Sequence, residues 1–252
     1  LSIGVLGLII GQLIDWSSMR LAKYEKVLSK DFFTQYLTSA TPKYLLMSIT
    51  AISYIALLYI YGFSLDTLKY IILIPMLINV FIIDYKKQII PNRLTLTMFE
   101  IGLIFIFMQV VINPKITGTS LEISPILVIF SVTIGGAYFG ILGMFLGGGL
   151  FLIITLIGEL IAKKEAMGFG DIKLIGTLGL FLGKTNIIST IIIAFLIAAI
   201  ASIIMLVISK IRKKEIMEYI AFGPFIALAS AIVVYIPNDI FIMVISKILR
   251  II

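Results

Sequence analysis

From Thr185 to Ser209 the chain runs through isoleucine, leucine, alanine and phenylalanine without one charged side chain, and Tyr44–Phe63 does the same. Such runs have few ways to fold. About 20 apolar residues wound as a helix match the ~30 Å hydrocarbon core of a bilayer, and every backbone polar group is then bonded within the segment. The pattern recurs along all 252 residues, of which 61% are hydrophobic and 13% charged. A soluble domain carries roughly 45–50% apolar and 25% charged residues. The runs are continuous rather than alternating, which argues against an outer-membrane barrel. The fold class is read as all-α, a polytopic membrane protein of about eight transmembrane helices.

The spans are placed at Leu1–Ile14, Tyr44–Phe63, Tyr70–Ile83, Leu94–Ile112, one within Pro125–Ala162, then Ile172–Gly183, Thr185–Ser209 and Gly223–Ile236. Leu1–Ile14 has the apolar character of a signal-peptide core, but no basic segment precedes it and no small-residue cleavage site follows, so it is read as the first span. Ser64–Lys69 and Asn113–Ser124, the latter with Pro114 and Gly118, read as loops. Pro125–Ala162 is read as a re-entrant or interfacial piece followed by a single crossing. Its glycine pairs Gly136/Gly140 and Gly143/Gly147, four residues apart, suit close helix packing, with local flexibility as the bland alternative. The tail Pro237–Ile252 lies along the membrane surface or continues the last helix.

Charge orients these spans. The stretches 17–43, 84–93, 163–173 and 210–222 hold fifteen of the twenty lysines and arginines, whereas the alternate loops hold only Lys69, Lys115 and Lys184. Basic loops stay on the inner face. The same asymmetry accounts for the net charge of +7 without nucleic acid as a partner.

Two absences narrow the chemistry. The sequence contains no histidine and no cysteine. Histidine-based triads, thiol catalysis, disulfides and His- or Cys-ligated metal sites are therefore excluded, and no metal is assigned. Carboxylate, lysine, tyrosine and hydroxyl groups remain. Asp84 ends the third span and Asp171 opens the sixth, so both fall at the inner edge of the membrane. Two carboxylates close together share one proton; the ionised member can take a proton from water while the other polarises a peptide carbonyl. Gly168 and Gly170, in Ala166-Met167-Gly168-Phe169-Gly170-Asp171-Ile172-Lys173-Leu174, remove side-chain bulk before Asp171 and let another backbone approach. Rival readings stand beside this one. Asp171 can be a helix N-cap, and Asp84 can cap polar backbone beside Lys86 and Lys87. The pair can also serve a carboxylate-coupled transporter, with Glu100 set deeper, or belong to a catalytically idle assembly subunit. Glu159 pairs by helical spacing with Lys163.

The residues resemble a known family. Gly168–Leu174 resembles the GxGD motif of type IV prepilin peptidases, followed as in that family by Gly179–Gly183. Ile83-Asp84-Tyr85 with Ile90–Leu96 resembles the family's first aspartate motif. Ala221–Leu228 resembles its C-terminal motif, and Ile9–Ile14 its glycine-containing first span. The resemblance covers most of the chain from Tyr44 onward. It implies one integral-membrane peptidase domain over residues 1–252, with a short cysteine-free cytoplasmic loop at 17–43. The activity implied is an aspartic endopeptidase of the cytoplasmic membrane that cuts the basic leader from prepilins and pseudopilins, its active site at the cytoplasmic face. Asp84 and Asp171 match the catalytic aspartates, Gly168 and Gly170 the motif glycines, and Lys173 the motif lysine. The peptidase reaction needs no cofactor. Many bacterial members also methylate the new N-terminus with S-adenosylmethionine. This chain departs from them in lacking paired CxxC motifs in the first inner loop, in having Asp15 and Met19 where asparagine and tyrosine are usual, and in having Leu46 and Met47 near a usual acid. Those departures bear on methylation and leave the peptidase motifs whole.

Overall fold

A computed structural model describes residues 2–27, 29–36, 41–121, 138–162, 168–212 and 221–236. Among them every regular element is a helix. We number the α-helices α1 (Ser2–Leu21), α2 (Tyr44–Tyr61), α3 (Leu65–Lys87), α4 (Asn92–Leu121), α5 (Tyr138–Ala162), α6 (Phe169–Arg212) and α7 (Gly223–Tyr235), with a single π-helical turn at Phe32–Tyr36. Five of them, counting only described residues, are long and apolar enough to cross a membrane: α1, α2, α3, the Gly140–Ile157 part of α5, and α6 through Ile211. The chain is a multi-pass membrane protein. The expected count of eight is not confirmed among the described residues: the runs expected at 172–183 and 185–209 both fall in α6, which breaks at Gly183, and α7 has 13 residues.

The chain divides into two compact units, Leu1–Leu94 with Phe195–Tyr235, and Thr95–Ala194 with Ile236–Ile252. In the first, α1 lies against α2 and α3, and α3 against α7. Gly7 and Gly11 bring α1 onto the main chain of α2; a Cβ on Gly7 would stand 2.6 Å from the Ala51 Cα. Pro75 lies inside α3 and has no N–H to give the carbonyl of Ile71 one turn back. The hydroxyl of Tyr54, itself 1% exposed, donates to that carbonyl at 2.9 Å. The proline's cost is therefore met by a side chain from the neighbouring helix. Similarly, Tyr61 donates to Val234 O in the last turn of α7 at 2.7 Å, where helical carbonyls have no partner of their own.

Three helix boundaries depart from the expected ones. The first helix does not stop at Ile14 but runs to Leu21. Ser17 and Ser18 return their hydroxyls to the carbonyls of Ile14 and Asp15, and the Trp16 indole N–H reaches Val27 O at 3.0 Å. Ser64–Lys69 is not a loop: Ser64 caps α3 by accepting the Thr67 N–H, and the helix begins at Leu65. Asn113–Ser124 was expected as a loop, yet α4 continues to Leu121.

After α1 the first loop folds back on itself. Trp16 packs its ring against Phe32 and Tyr36 at centroid distances of 5.7 and 5.0 Å. Arg20 lies 4.8 Å above the indole and pairs with Glu25 and Asp31. Tyr36 donates to Asp15 Oδ2 at 2.7 Å and accepts from Gln12 Nε2 at 2.9 Å.

In the second unit, Gly143 of α5 meets the Gly179 carbonyl of α6, and a Cβ on Gly147 would stand 3.0 Å from Ile175 O. These are the close helix contacts that small residues permit. Gly136 and the re-entrant piece expected before α5 lie outside the described residues, as do 163–167, 213–220 and the tail 237–252. The break in α6 falls at Gly183, with φ 73° and ψ 177°, a conformation essentially confined to glycine. It coincides with the boundary between the two apolar runs read from the sequence.

Candidate active site

Among the described residues only two acids are buried, Asp84 at 4% and Asp171 at 7% exposure. An ionisable group in that setting is costly, because hydrocarbon and protein interior solvate its charge poorly. Asp84 belongs to the first unit and Asp171 to the second.

Asp84 occupies the last turn of α3, among the buried Val80 and Ile83. The helix ends there because Gln88 turns left-handed, with φ 54° and ψ 37°, and gives its N–H to Asp84 O at 2.8 Å. The chain then passes through Ile89, Ile90 and the buried Pro91 into α4, where Leu94 N–H returns to Pro91 O at 3.0 Å. Alone, the position is poor for a carboxylate, since the C-terminal end of a helix carries partial negative charge. A second element offsets it. The backbone N–H of Gly223, at the start of α7, donates to the Asp84 carboxylate, so the positive end of another helix faces the anion. Lys86 and Lys87 complete the favourable charges of this last turn.

Asp171 stands in the first turn of α6. The helix starts at Phe169, so Gly168 is the residue at the cap and Asp171 lies three places further on. The N-cap reading of Asp171 is thereby corrected. Its own N–H bonds to Gly168 O at 3.0 Å, and its carboxylate folds back so that a Cβ on Gly168 would be 3.6 Å from Oδ2. Gly168 is exposed and Gly170 half-buried, leaving the approach to this turn free of side chains at both positions. Lys173 is exposed, with Nζ 4.7 Å above the Phe169 ring. The first turn of α6 thus brings Gly168, Gly170, Asp171 and Lys173 together. Glu100, the deeper acid of the transporter reading, is exposed. In the sequence Gly223 stands out only within the Ala221–Leu228 stretch, where a Gly-Pro pair opens an apolar run.

The model of the type IV leader peptidase family matches residues 71–204. That segment contains both buried aspartates. Relatives include proteins named prepilin leader peptidase/N-methyltransferase. The one from Legionella pneumophila is 30% identical over 175 residues, covering 69% of this chain and 52% of its own. That from Pseudomonas aeruginosa is 30% identical over 169 residues, 67% of this chain and 49% of its own. That from Pectobacterium carotovorum is 29% identical over 158 residues, 63% and 47%. The chain spans about half the length of these curated relatives. No solved structure matches it.

Proposed function

Because the chain belongs to the type IV leader peptidase family, we propose that it is an aspartic endopeptidase of the cytoplasmic membrane. It removes the basic leader of prepilins or pseudopilins, with Asp84 and Asp171 as the reacting pair and residues 1–252 serving one peptidase domain. The observation that carries this reading is that the only buried acids among the described residues are the two on the family's motifs. The ionised carboxylate takes a proton from water while the protonated one donates to the scissile carbonyl oxygen. The water oxygen bonds to the carbonyl carbon, and collapse of the tetrahedral intermediate breaks the C–N bond as the leaving amine is protonated. Two carboxylates and water suffice, so no metal enters. Gly168 and Gly170 let the extended substrate come close to Asp171. A lysine-rich leader meets a basic inner face, so recognition comes from the substrate's apolar helix rather than from charge attraction. Lys173, above the Phe169 ring, shapes the same turn.

S-adenosylmethionine is the methyl donor of methylating members. The cavity of about 630 Å³ beside the first loop is lined by Ile9, Leu13, Trp16, Val27, Ser29, Lys30 and Phe32. Its one charged group is a cation, and it offers no carboxylate to the cofactor's sulfonium or ammonium, so this lining does not fit the group.

The test reconstitutes the purified chain in liposomes with a prepilin and reads product mass. Loss of the leader is the expected result, and a methylated product is distinguished by mass. Intact prepilin, with solute uptake by the same vesicles, would overturn the peptidase reading in favour of a transporter.

A further inference from the structure

The Gly223–Pro224 pair is the part of the C-terminal stretch to which the reaction above gives no task. Its geometry is specific. Pro224 has no N–H, and those of Phe225 and Ile226 turn back to Phe222 O at 3.0 and 3.2 Å. The first turn of α7 therefore leaves the Gly223 N–H for a side chain, and that side chain is Asp84. The approach is as tight as a missing side chain allows. A Cβ on Gly223 would collide with Asp84 Oδ2 and would stand 3.0 Å from its Cγ and 3.2 Å from Ile90 Cδ1. Gly223 is itself buried. The turn is held from behind by Phe222, whose ring packs on Phe195 at 5.2 Å and on Phe225 at 6.1 Å. Far along the same helix, Tyr61 ties down Val234. The helix whose first turn faces Asp84 is thus held near both of its ends.

We propose that Gly223 is a positioning residue for Asp84: its N–H orients the carboxylate, and its lack of a side chain lets the first turn of α7 seat against it. This rests on Asp84 being one of the reacting pair. Cleavage then depends on a residue that touches neither water nor substrate, and the dependence lies in turnover rather than in substrate binding. A displacement of about 1 Å at a reacting group costs on the order of a hundredfold in rate.

The experiment compares four full-length variants in liposomes, with a peptide joining a lysine-rich leader to an apolar helix as substrate. Gly223→Ala is expected to lower kcat about a hundredfold with KM within about twofold, the signature of a loss felt in the transition state alone. A backbone ester at the same position, made by replacing Gly223 with glycolic acid, removes the N–H without adding an atom of bulk. It is expected to lower kcat about tenfold, as losing a hydrogen bond to a charged group does, and it carries the test if Gly223→Ala does not fold. Gly7→Ala, which strains the α1–α2 contact instead, is expected to lower stability and leave kcat of the folded enzyme unchanged. Wild-type kcat in the ester variant, or an equal fall in kcat for Gly7→Ala, would overturn the positioning role. Asp84→Asn separates the two levels of the argument: if it cleaves at the wild-type rate, the proposed reaction fails, whereas an inactive Asp84→Asn beside a fully active ester variant removes only the role of Gly223.

Discussion

At the scale of single residues, the proposed reaction rests on two carboxylates, Asp84 and Asp171, that are both buried. Asp84→Asn and Asp171→Asn are each expected to abolish prepilin cleavage while leaving the protein inserted and folded. Removing either partner removes the base or the acid, so the double variant should lose little more than either single one. Product analysis of all three variants checks this, and a single variant with wild-type turnover would remove the pair from the mechanism. A second residue-scale expectation concerns Tyr54. Its hydroxyl serves the Ile71 carbonyl left over by Pro75, and Tyr54→Phe keeps the ring while leaving that buried carbonyl without its donor. A loss of about 1–3 kcal/mol follows, measurable as a lower unfolding midpoint, with cleavage by the folded fraction unchanged.

At the scale of elements, the first loop carries its own structure. Trp16 is the only tryptophan in the sequence, and it packs at a tilt against Phe32 and Tyr36, so its emission reports on this loop alone. Burial above all, together with the Asp15 carboxylate that Tyr36 donates to, pushes the Tyr36 hydroxyl well above the ordinary tyrosine value of 10.0. The folded loop therefore holds this proton more tightly than the unfolded chain does. Its stabilising effect is full below about pH 10 and is lost as the pH rises further, when a phenolate would face a carboxylate. The expected observation is an alkaline shift of Trp16 emission toward longer wavelength. Tyr36→Phe should show shifted emission already at neutral pH and lack the alkaline step. An unchanged spectrum in Tyr36→Phe would mean that aromatic packing holds the loop without the Asp15–Tyr36 bond.

At the scale of the whole molecule, composition sets the class of chemistry. With neither histidine nor cysteine, the remaining metal ligands are hard oxygens, and a pair of carboxylates acting on water needs none. Chelators are therefore expected to leave cleavage intact. Activity lost with a chelator and restored by a divalent ion would replace the direct aspartyl mechanism with a metal-assisted one.

What the sequence by itself determined was the all-helical membrane class, because long apolar runs admit no other backbone solution in lipid. It also singled out Asp84 and Asp171, because the polar residues that interrupt such runs stand out, and it placed the break at Gly183, where a lysine follows a glycine. The tertiary structure decided what no local pattern encodes. The extensions of α1 to Leu21 and α4 to Leu121 carry helices through residues that read as loop, and in the former Trp16 reaches Val27 O and Ser17 reaches Asn79 of α3. The repair of the Pro75 gap comes from Tyr54 on another helix, and the N–H that meets Asp84 comes from Gly223, far along the chain. Hydrogen-bond partners between helices depend on which faces pack together, and that choice is made by the summed contacts of whole helices, which a motif of a few residues does not contain.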